Sequence, residues 1–324
     1  MNRFLEYLMF LPVLLTVSCS FETYIPDEDS AENYICFMAF TETMTKGEID
    51  AVSDIVNLYV TETLNNSFTG SALQFQQNGI CRTNVPWTSD AYSFFGYARS
   101  NGRGSIYSIT DNGRSFAITQ PESGSGDVPS SDGSNVDFAD YLLSYTNYVE
   151  DGSSRPLVTL QLVHAVSSVE LHFVKPAGAS ETIVESASVN GVHYSASYSV
   201  NDHTADNISW TCSRSEATTN YSRETTDFKV PEMADGNTYF PDGSLYFSVL
   251  TVQQPVDNIT IDVSFSVAGM EHTASFSLDS VTGVSNWMAG TKTRYSIVLD
   301  TEVRISGTIT QWNDGGEMEG TLVP

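Results

Sequence analysis

Residues 157–174, LVTLQLVHAVSSVELHFV, decide the fold. One strand face would carry Val158, Leu160, Leu162, His164 and Val166, and the apolar set then moves to Val169, Leu171 and Phe173. Alternation with a period of two is typical of a β-strand that faces a core. The change of phase after Ser167 and Ser168 predicts a bulge or a turn at this point.

The rest of the chain repeats this pattern in short β-branched and aromatic runs separated by polar turns. Such runs cover 34–40, 55–61, 73–76, 92–98, 105–109, 115–118, 187–189, 196–200, 245–252, 259–268, 273–278, 293–299 and 303–312. The segment 121–137 is rich in Gly, Ser, Asp and Pro, which predicts a long loop. With 324 residues, the chain is long enough for two domains. We therefore predict an all-β protein with two tandem antiparallel β-sandwich domains, 34–155 and 156–324.

The amino terminus reads as an export signal. Arg3 precedes a stretch, 4–17, that is apolar apart from Glu6. It is too short for a membrane-spanning helix but has the length of a signal-peptide core. The stretch closes on LTVSC, typical of a lipoprotein signal that is cleaved after Ser18 and acylated on Cys19. An ordinary secretory signal cleaved elsewhere is the alternative. The prediction is a signal peptide at 1–18, an acidic linker at 19–33, and fatty-acyl (palmitate) anchoring to the outer membrane, with the protein exposed at the cell surface.

The charge balance excludes one class of partner. The chain has 40 acidic and 14 basic residues, a formal net charge of −26, which repels the phosphate backbone of nucleic acids. Such a charge keeps an exposed surface soluble, and calcium binding is the alternative use of the carboxylates. With 40 acidic residues, some carboxylates will be close together by chance, so the sequence does not identify a catalytic pair for glycosidase chemistry.

Side chains that could support catalysis or metal binding are scattered. His164 falls on an apolar strand face, which favours a hydrogen-bonded core histidine, and the other four histidines lack HxH or HExxH spacing. After Cys19, Cys36, Cys81 and Cys212 remain, so at most one disulfide can form and its pairing is left open. We predict no enzyme activity, no cofactor and no metal site.

Five aromatic residues in one short segment have two interpretations: Trp87, Tyr92, Phe94, Phe95 and Tyr97. They could form a sugar-stacking platform, or they could fill a core. Alternation along the strand places them on both faces, so we assign most of them to the core.

Four blocks of sequence, taken in order, resemble the fimbrillin (Mfa-like) family, the lipoprotein subunits of type V pili in Bacteroidetes. The blocks are TKG at 45–47 leading to VNLYV at 56–60, Trp87 leading to YSFFGYA at 92–98, DYLL at 140–143 before VTLQLVHAVS at 158–167, and WMAGTKTRYSI at 287–297 before a last strand that ends near Trp312. Thr293 stands where the family commonly has an aromatic residue.

The resemblance implies two transthyretin-like sandwich domains and assembly with other pilin subunits by donor-strand exchange. In that process proteolysis after an arginine releases the first strand, and a strand from a neighbouring subunit fills the groove. The arginines that follow the first predicted strand are Arg82, Arg99 and Arg103, and of these Arg82 is our preferred candidate for the processing site. The position in the pilus, as stalk, tip or anchor, and the host protein or glycan that is bound are left open. The alternative function is a surface glycan-binding lipoprotein of a nutrient-uptake complex.

Overall fold

The structure, a computed structural model, describes residues 34–41, 57–62, 71–73, 80–86, 91–99, 106–110, 115–122, 124–125, 138–149, 157–200, 210–233, 240–300 and 303–311. Nearly all of these residues lie in β-strands joined by turns, and the prediction of an all-β fold is confirmed. The predicted signal peptide, Cys19, the acidic linker, Trp87 and Trp312 lie outside the described residues.

The strands of the first half are β1 (Tyr34–Thr41), β2 (Asn57–Glu62), β3 (Ser71–Leu73), β4 (Ile80–Pro86), β5 (Ala91–Arg99), β6 (Ile106–Thr110), β7 (Ser115–Thr119), β8 (Gly124–Ser125) and β9 (Tyr141–Val149). Those of the second half are β10 (Val158–His164), β11 (Val166–Val174), β12 (Thr182–His193), β13 (Ser195–Val200), β14 (Trp210–Arg214), β15 (Thr218–Lys229), β16 (Leu245–Val252), β17 (Gln254–Pro255), β18 (Thr260–Val267), β19 (Met270–Ser277), β20 (Asn286–Trp287), β21 (Thr291–Val298) and β22 (Arg304–Gln311). A 3-10 turn, Leu278–Ser280, follows β19.

The strands form five sheets. Their strand orders are β3-β2-β5-β9-β10-β1-β4, β16-β11-β21-β22, β19-β18-β12-β15-β8, β14-β13-β7-β6 and the pair β17-β20. Most neighbours are antiparallel, whereas β1 with β10, β11 with β21 and β15 with β8 are parallel. Strands that are distant in sequence are therefore neighbours in space.

The deciding stretch contains the crossing between two sheets. β10 belongs to the seven-stranded sheet and β11 to the sheet with β21, and the chain bends at Ala165 between them. The Ala165 N–H donates to the Tyr141 carbonyl at 2.7 Å, and its own carbonyl accepts from the Tyr198 hydroxyl at 2.6 Å. The predicted phase change is thus a turn between sheets, two residues earlier than the pattern indicated, because a fully buried alanine serves as the corner.

The main hydrophobic cluster joins residues of both halves. The Tyr97 ring lies 5.2 Å from Phe116, and Phe116 stacks on Tyr198 at 4.9 Å. β6 and β7 complete a sheet with β13 and β14, while β10 completes the sheet of β1. The division of the chain into domains near residue 155 stays a prediction. Three of the sheets contain strands from both sides of that position.

Candidate functional site

β1 is the candidate assembly element, since it is the first strand of the described chain and lies inside a sheet. It pairs in parallel with β10, where Phe37 is opposite Val158, and antiparallel with β4, where Phe37 is opposite Cys81. A strand between two neighbours satisfies backbone donors and acceptors on both of its sides. Its removal would leave two unpaired strand edges facing one slot.

The side chains of β1 anchor it in a core. Ile35 and Phe37 are 1% and 0% exposed. The ring of Phe37 packs edge-to-face against Phe94 with centroids 5.2 Å apart, a favoured aromatic geometry. The Thr83 hydroxyl of β4 donates to the Ile35 carbonyl at 2.7 Å. The slot that β1 fills is therefore apolar at its base and lined by backbone groups.

Arg82, the sequence-predicted processing residue, lies within β4 and is opposite Cys36 of β1. It is thus part of a hydrogen-bonded strand pair. A cut after Arg82 would divide β4 and separate β1, β2 and β3 from the rest of the chain. The use of this residue as a processing site stays a prediction.

The structure shows Cys36, Cys81 and Cys212 without a disulfide between any two of them. Residues directly opposite each other in an antiparallel pair share a face, and Cys36 is opposite Arg82 while Phe37 is opposite Cys81. Cys36 and Cys81 consequently point to opposite faces of the sheet and cannot be joined. The Cys212 thiol lies 3.7 Å from the Gln253 carbonyl, and burial raises its pKa.

The aromatic segment is core where the structure describes its side chains. Phe94, Phe95 and Tyr97 are 0%, 0% and 2% exposed, although they point alternately to the two faces of β5. Both faces of this sheet are therefore buried along β5. The side chain of Tyr92 and the whole of Trp87 lie outside the described residues.

Two of the described histidines, His164 and His172, have side-chain partners. The imidazole Nδ1 of His164 lies 2.8 Å from the Asp140 carboxylate, in agreement with a hydrogen-bonded histidine near the core. His172 contacts the Ser244 hydroxyl at 3.0 Å and Glu170 at 3.2 Å. Among the described residues, no group of three or more His, Cys, Asp or Glu side chains could hold a metal ion.

A buried charge cluster around Glu170 escaped the sequence analysis. Glu170 on β11 accepts from Arg294 Nε at 3.1 Å, lies 3.3 Å from Lys292 Nζ, and also contacts His172. Burial alone would raise the pKa of Glu170, but the hydrogen bond with His172 and the charges of Lys292 and Arg294 lower it from 4.5 to about 2. In the sequence, the only sign of this charge cluster is that Glu170 and His172 lie two residues apart within an apolar run.

The sheet of β12, β15, β18 and β19 has a polar concavity on one face, with a volume of about 480 Å³. Six of its eleven lining residues are serine or threonine, and Glu224 and Asp262 are the two acidic ones. Asp262 is already bonded, since it accepts from Asn190 at 2.8 Å and from the Ser275 hydroxyl at 2.5 Å. Small side chains on four adjacent strands create this shallow shape.

Membrane attachment rests on the sequence alone. Cys19 lies outside the described residues. Among the helical residues that the structure describes, none forms a helix long and apolar enough to cross a membrane.

Solved structures of other proteins resemble this chain in fold. A candidate cell adhesion protein from Bacteroides uniformis is 13% identical, with a TM-score of 0.50 over 86% of this chain and 99% of that one. A candidate cell adhesion protein from Bacteroides ovatus is 14% identical, with a TM-score of 0.48 over 87% and 98% of the two chains. A fimbrial assembly protein from Parabacteroides distasonis is 10% identical, with a TM-score of 0.39 over 86% and 98%.

No curated protein matches the sequence. The model of the fimbrillin-like family, in contrast, matches residues 30–312, which include every described strand. The predicted resemblance is confirmed: the chain belongs to the fimbrillin-like family.

Proposed function

We propose that this chain is a lipid-anchored surface subunit of a type V pilus, with a structural or adhesive role, that polymerises by donor-strand exchange. Family membership supports a pilus-like adhesin subunit in general terms. The observation that carries the finer proposal is the position of β1 between β10 and β4, with Ile35 and Phe37 buried at the base of its slot.

Strand exchange at this slot is physically favourable for two reasons. The exposed edges of β10 and β4 would offer a full set of backbone donors and acceptors to an incoming strand. An incoming apolar side chain in the place of Phe37 would again pack on Phe94, so the donor strand replaces both kinds of contact that β1 makes.

The proposed anchor is the acylated Cys19, which would deliver the subunit to the outer membrane and its outer surface. Proposed partners are other pilin subunits, identical or related, and a host protein or glycan. Processing at Arg82 would release β1 together with β2 and β3, and so would open the slot and also uncover the β5 edge that β2 pairs with.

The register between β1 and β4 supplies a direct test. Arg82→Cys places a thiol opposite the native Cys36, so oxidation would lock β1 to β4, whereas Arg82→Ala removes the arginine without a lock. Surface fractions from the native host are run on denaturing gels without boiling. We expect ladders of polymers from the wild type and none from the oxidised Arg82→Cys variant. Adding a reductant to Arg82→Cys restores the ladder only if cleavage at residue 82 is not required.

The Arg82→Ala variant separates processing from strand release. A lost ladder in Arg82→Ala means that cleavage at this residue is needed, and intact ladders mean that processing occurs elsewhere. Cys19→Ala tests the anchor, because without acylation the precursor should not reach the surface. Ladders that persist in Arg82→Cys with its disulfide verified by mass spectrometry would refute exchange at the β1 slot.

A surface glycan-binding lipoprotein is the second candidate, and the polar concavity on the β12 sheet favours it. The expected mark of that function is a patch of exposed aromatic rings. Among the described side chains, the large exposed apolar ones are Tyr34, Met270 and Met288, which belong to three different parts of the chain. Binding of soluble polysaccharide by a monomer that forms no ladder would favour this function over the pilus.

A further inference from the structure

β19 is a long strand at the end of its sheet, next to β18. Its eight residues, MEHTASFS, pair with β18 without a register shift from Met270 to Ser277. All of its side chains except Ala274 and Phe276 are exposed, and Met270 reaches 64%. The strand therefore presents one complete edge to solvent.

Hairpin geometry fixes which backbone groups point outward. β18 and β19 are joined by the two-residue turn Ala268 and Gly269, with φ angles of 49° and 80°. In such a hairpin the flanking residues Val267 and Met270 exchange both hydrogen bonds, and every second residue repeats this. The groups that point away from β18 thus belong to four residues, Glu271, Thr273, Ser275 and Ser277.

The other sheet edges in the described residues carry features that discourage pairing with another chain. β3 and β8 have three and two residues, and β6 and β14 have five each. β4 contains Arg82 and Pro86 and is irregular against β1, while β16 has a register shift against β11. β22 begins with Arg304 and contains Gly307, a residue that weakens a strand.

β19 lacks these features. It contains no lysine, arginine, proline or glycine and no bulge, and its one carboxylate, Glu271, lies near its start. Long regular edges without such protection are templates for another strand.

We propose that β19 pairs antiparallel with β19 of a second copy of this chain, across a two-fold axis at Ala274. In this register the four residues whose backbone groups point outward pair with the same four residues of the second copy. Glu271 is then opposite Ser277 of the second copy, and Thr273 is opposite Ser275. No two like charges are opposed, all four outward residues of each strand are matched, and His272 faces the Phe276 ring of the second copy. The two five-stranded sheets become one.

Charge sets how this contact responds to salt. Both copies have a formal net charge of −26, so long-range repulsion opposes association and salt screens it, with a Debye length of about 8 Å at physiological ionic strength. An edge of eight residues is also smaller than a standard interface of about 800 Å² per partner. The dimer should therefore be concentration-dependent and should strengthen as salt is added.

The test measures the oligomeric state of the purified full chain by sedimentation velocity over a range of concentrations and salt. Ser277→Glu puts two pairs of like charges opposite each other in the dimer, and dimerisation should weaken on the order of 10-fold. Adding Glu271→Lys to that variant makes the same pairs opposite in charge and should restore the dimer. Ser213→Glu, on the exposed face of β14, is the matched control and should change little.

A cysteine variant tests the register itself. In this arrangement Ala274 of each copy is opposite its equivalent, so Ala274→Cys should form an intermolecular disulfide on mild oxidation, and Ser213→Cys should not. A wild-type chain that is monomeric at all concentrations and salt levels would overturn the proposal. So would equal cross-linking of the two variants, or a dimer indifferent to Ser277→Glu. None of these readouts depends on the β1 slot, so the pilus proposal stands or falls separately.

Discussion

Neutralising Glu170 should remove a pH-dependent part of the stability. Its side chain is 11% exposed, and it is held by Arg294 at 3.1 Å and Lys292 at 3.3 Å. The difference between a pKa of 4.5 and a pKa of about 2 corresponds to about 3 kcal/mol, at about 1.4 kcal/mol per pKa unit. Because the folded state has the lower pKa, this stabilisation is fully present above pH 4.5 and disappears as the pH falls towards 2.

Urea unfolding at several pH values, followed by circular dichroism, measures this effect. We expect Glu170→Gln to lower the unfolding free energy by about 3 kcal/mol at pH 7, and the gap to the wild type to close towards pH 2. Glu181→Gln is the control, because Glu181 pairs with Lys229 at 2.9 Å with both side chains mostly exposed, and such pairs contribute at most about 1 kcal/mol. A gap for Glu170→Gln that is constant with pH would refute the assignment of the stability to its charge.

Three further predictions concern local packing and turns, and thermal or urea unfolding checks each of them. Thr293→Val should raise stability by about 1 kcal/mol, because the Thr293 hydroxyl is buried without a hydrogen-bond partner among the described residues. Thr291→Val should lower stability by about 1 kcal/mol, since the Thr291 hydroxyl donates to a carbonyl at 2.7 Å. Gly307→Ala should lower stability by about 1–3 kcal/mol, because its new Cβ would lie 2.7 Å from a methyl group of Val284. Ala268→Asn should raise stability by about 0.5–1 kcal/mol, because asparagine tolerates the φ of 49° in this turn better than alanine. An opposite sign in any of these measurements would contradict the corresponding contact or turn geometry.

The sequence predicted strands well where one face is apolar. β1, β5, β16 and β18 were all found by alternation or by apolar runs. β15 was missed, because among its twelve residues only Tyr221 is fully buried, and a polar strand on an exposed face has no hydrophobic period to detect. β4 was missed since Arg82 and Pro86 break its pattern.

The pairing of strands could not be predicted from local patterns. β7 lies next to β13, about eighty positions further along the chain, and the backbone N–H of Gln120 donates to the Tyr194 carbonyl at 2.7 Å at the end of this strand pair. The ion pairs of Glu170 join strands 124 residues apart in sequence. Such contacts depend on the topology, which alternation does not encode. The strand β1 was predicted from the sequence, but its place between β10 and β4 was not.

The location of the β1 contacts explains how this strand could be exchanged without unfolding the protein. Ile35 and Phe37 point to the face of the sheet that carries Phe94 and Leu160, whereas Phe95 and Tyr97 on the other face join the main cluster. That cluster contains no residue of β1 among those described. Loss of β1 would therefore uncover apolar area beside Phe94 and leave all described members of the main cluster in place. Under the proposed exchange, the free energy gained when a donor strand enters would come from the unpaired edges of β10 and β4 and from the apolar slot beside Phe94.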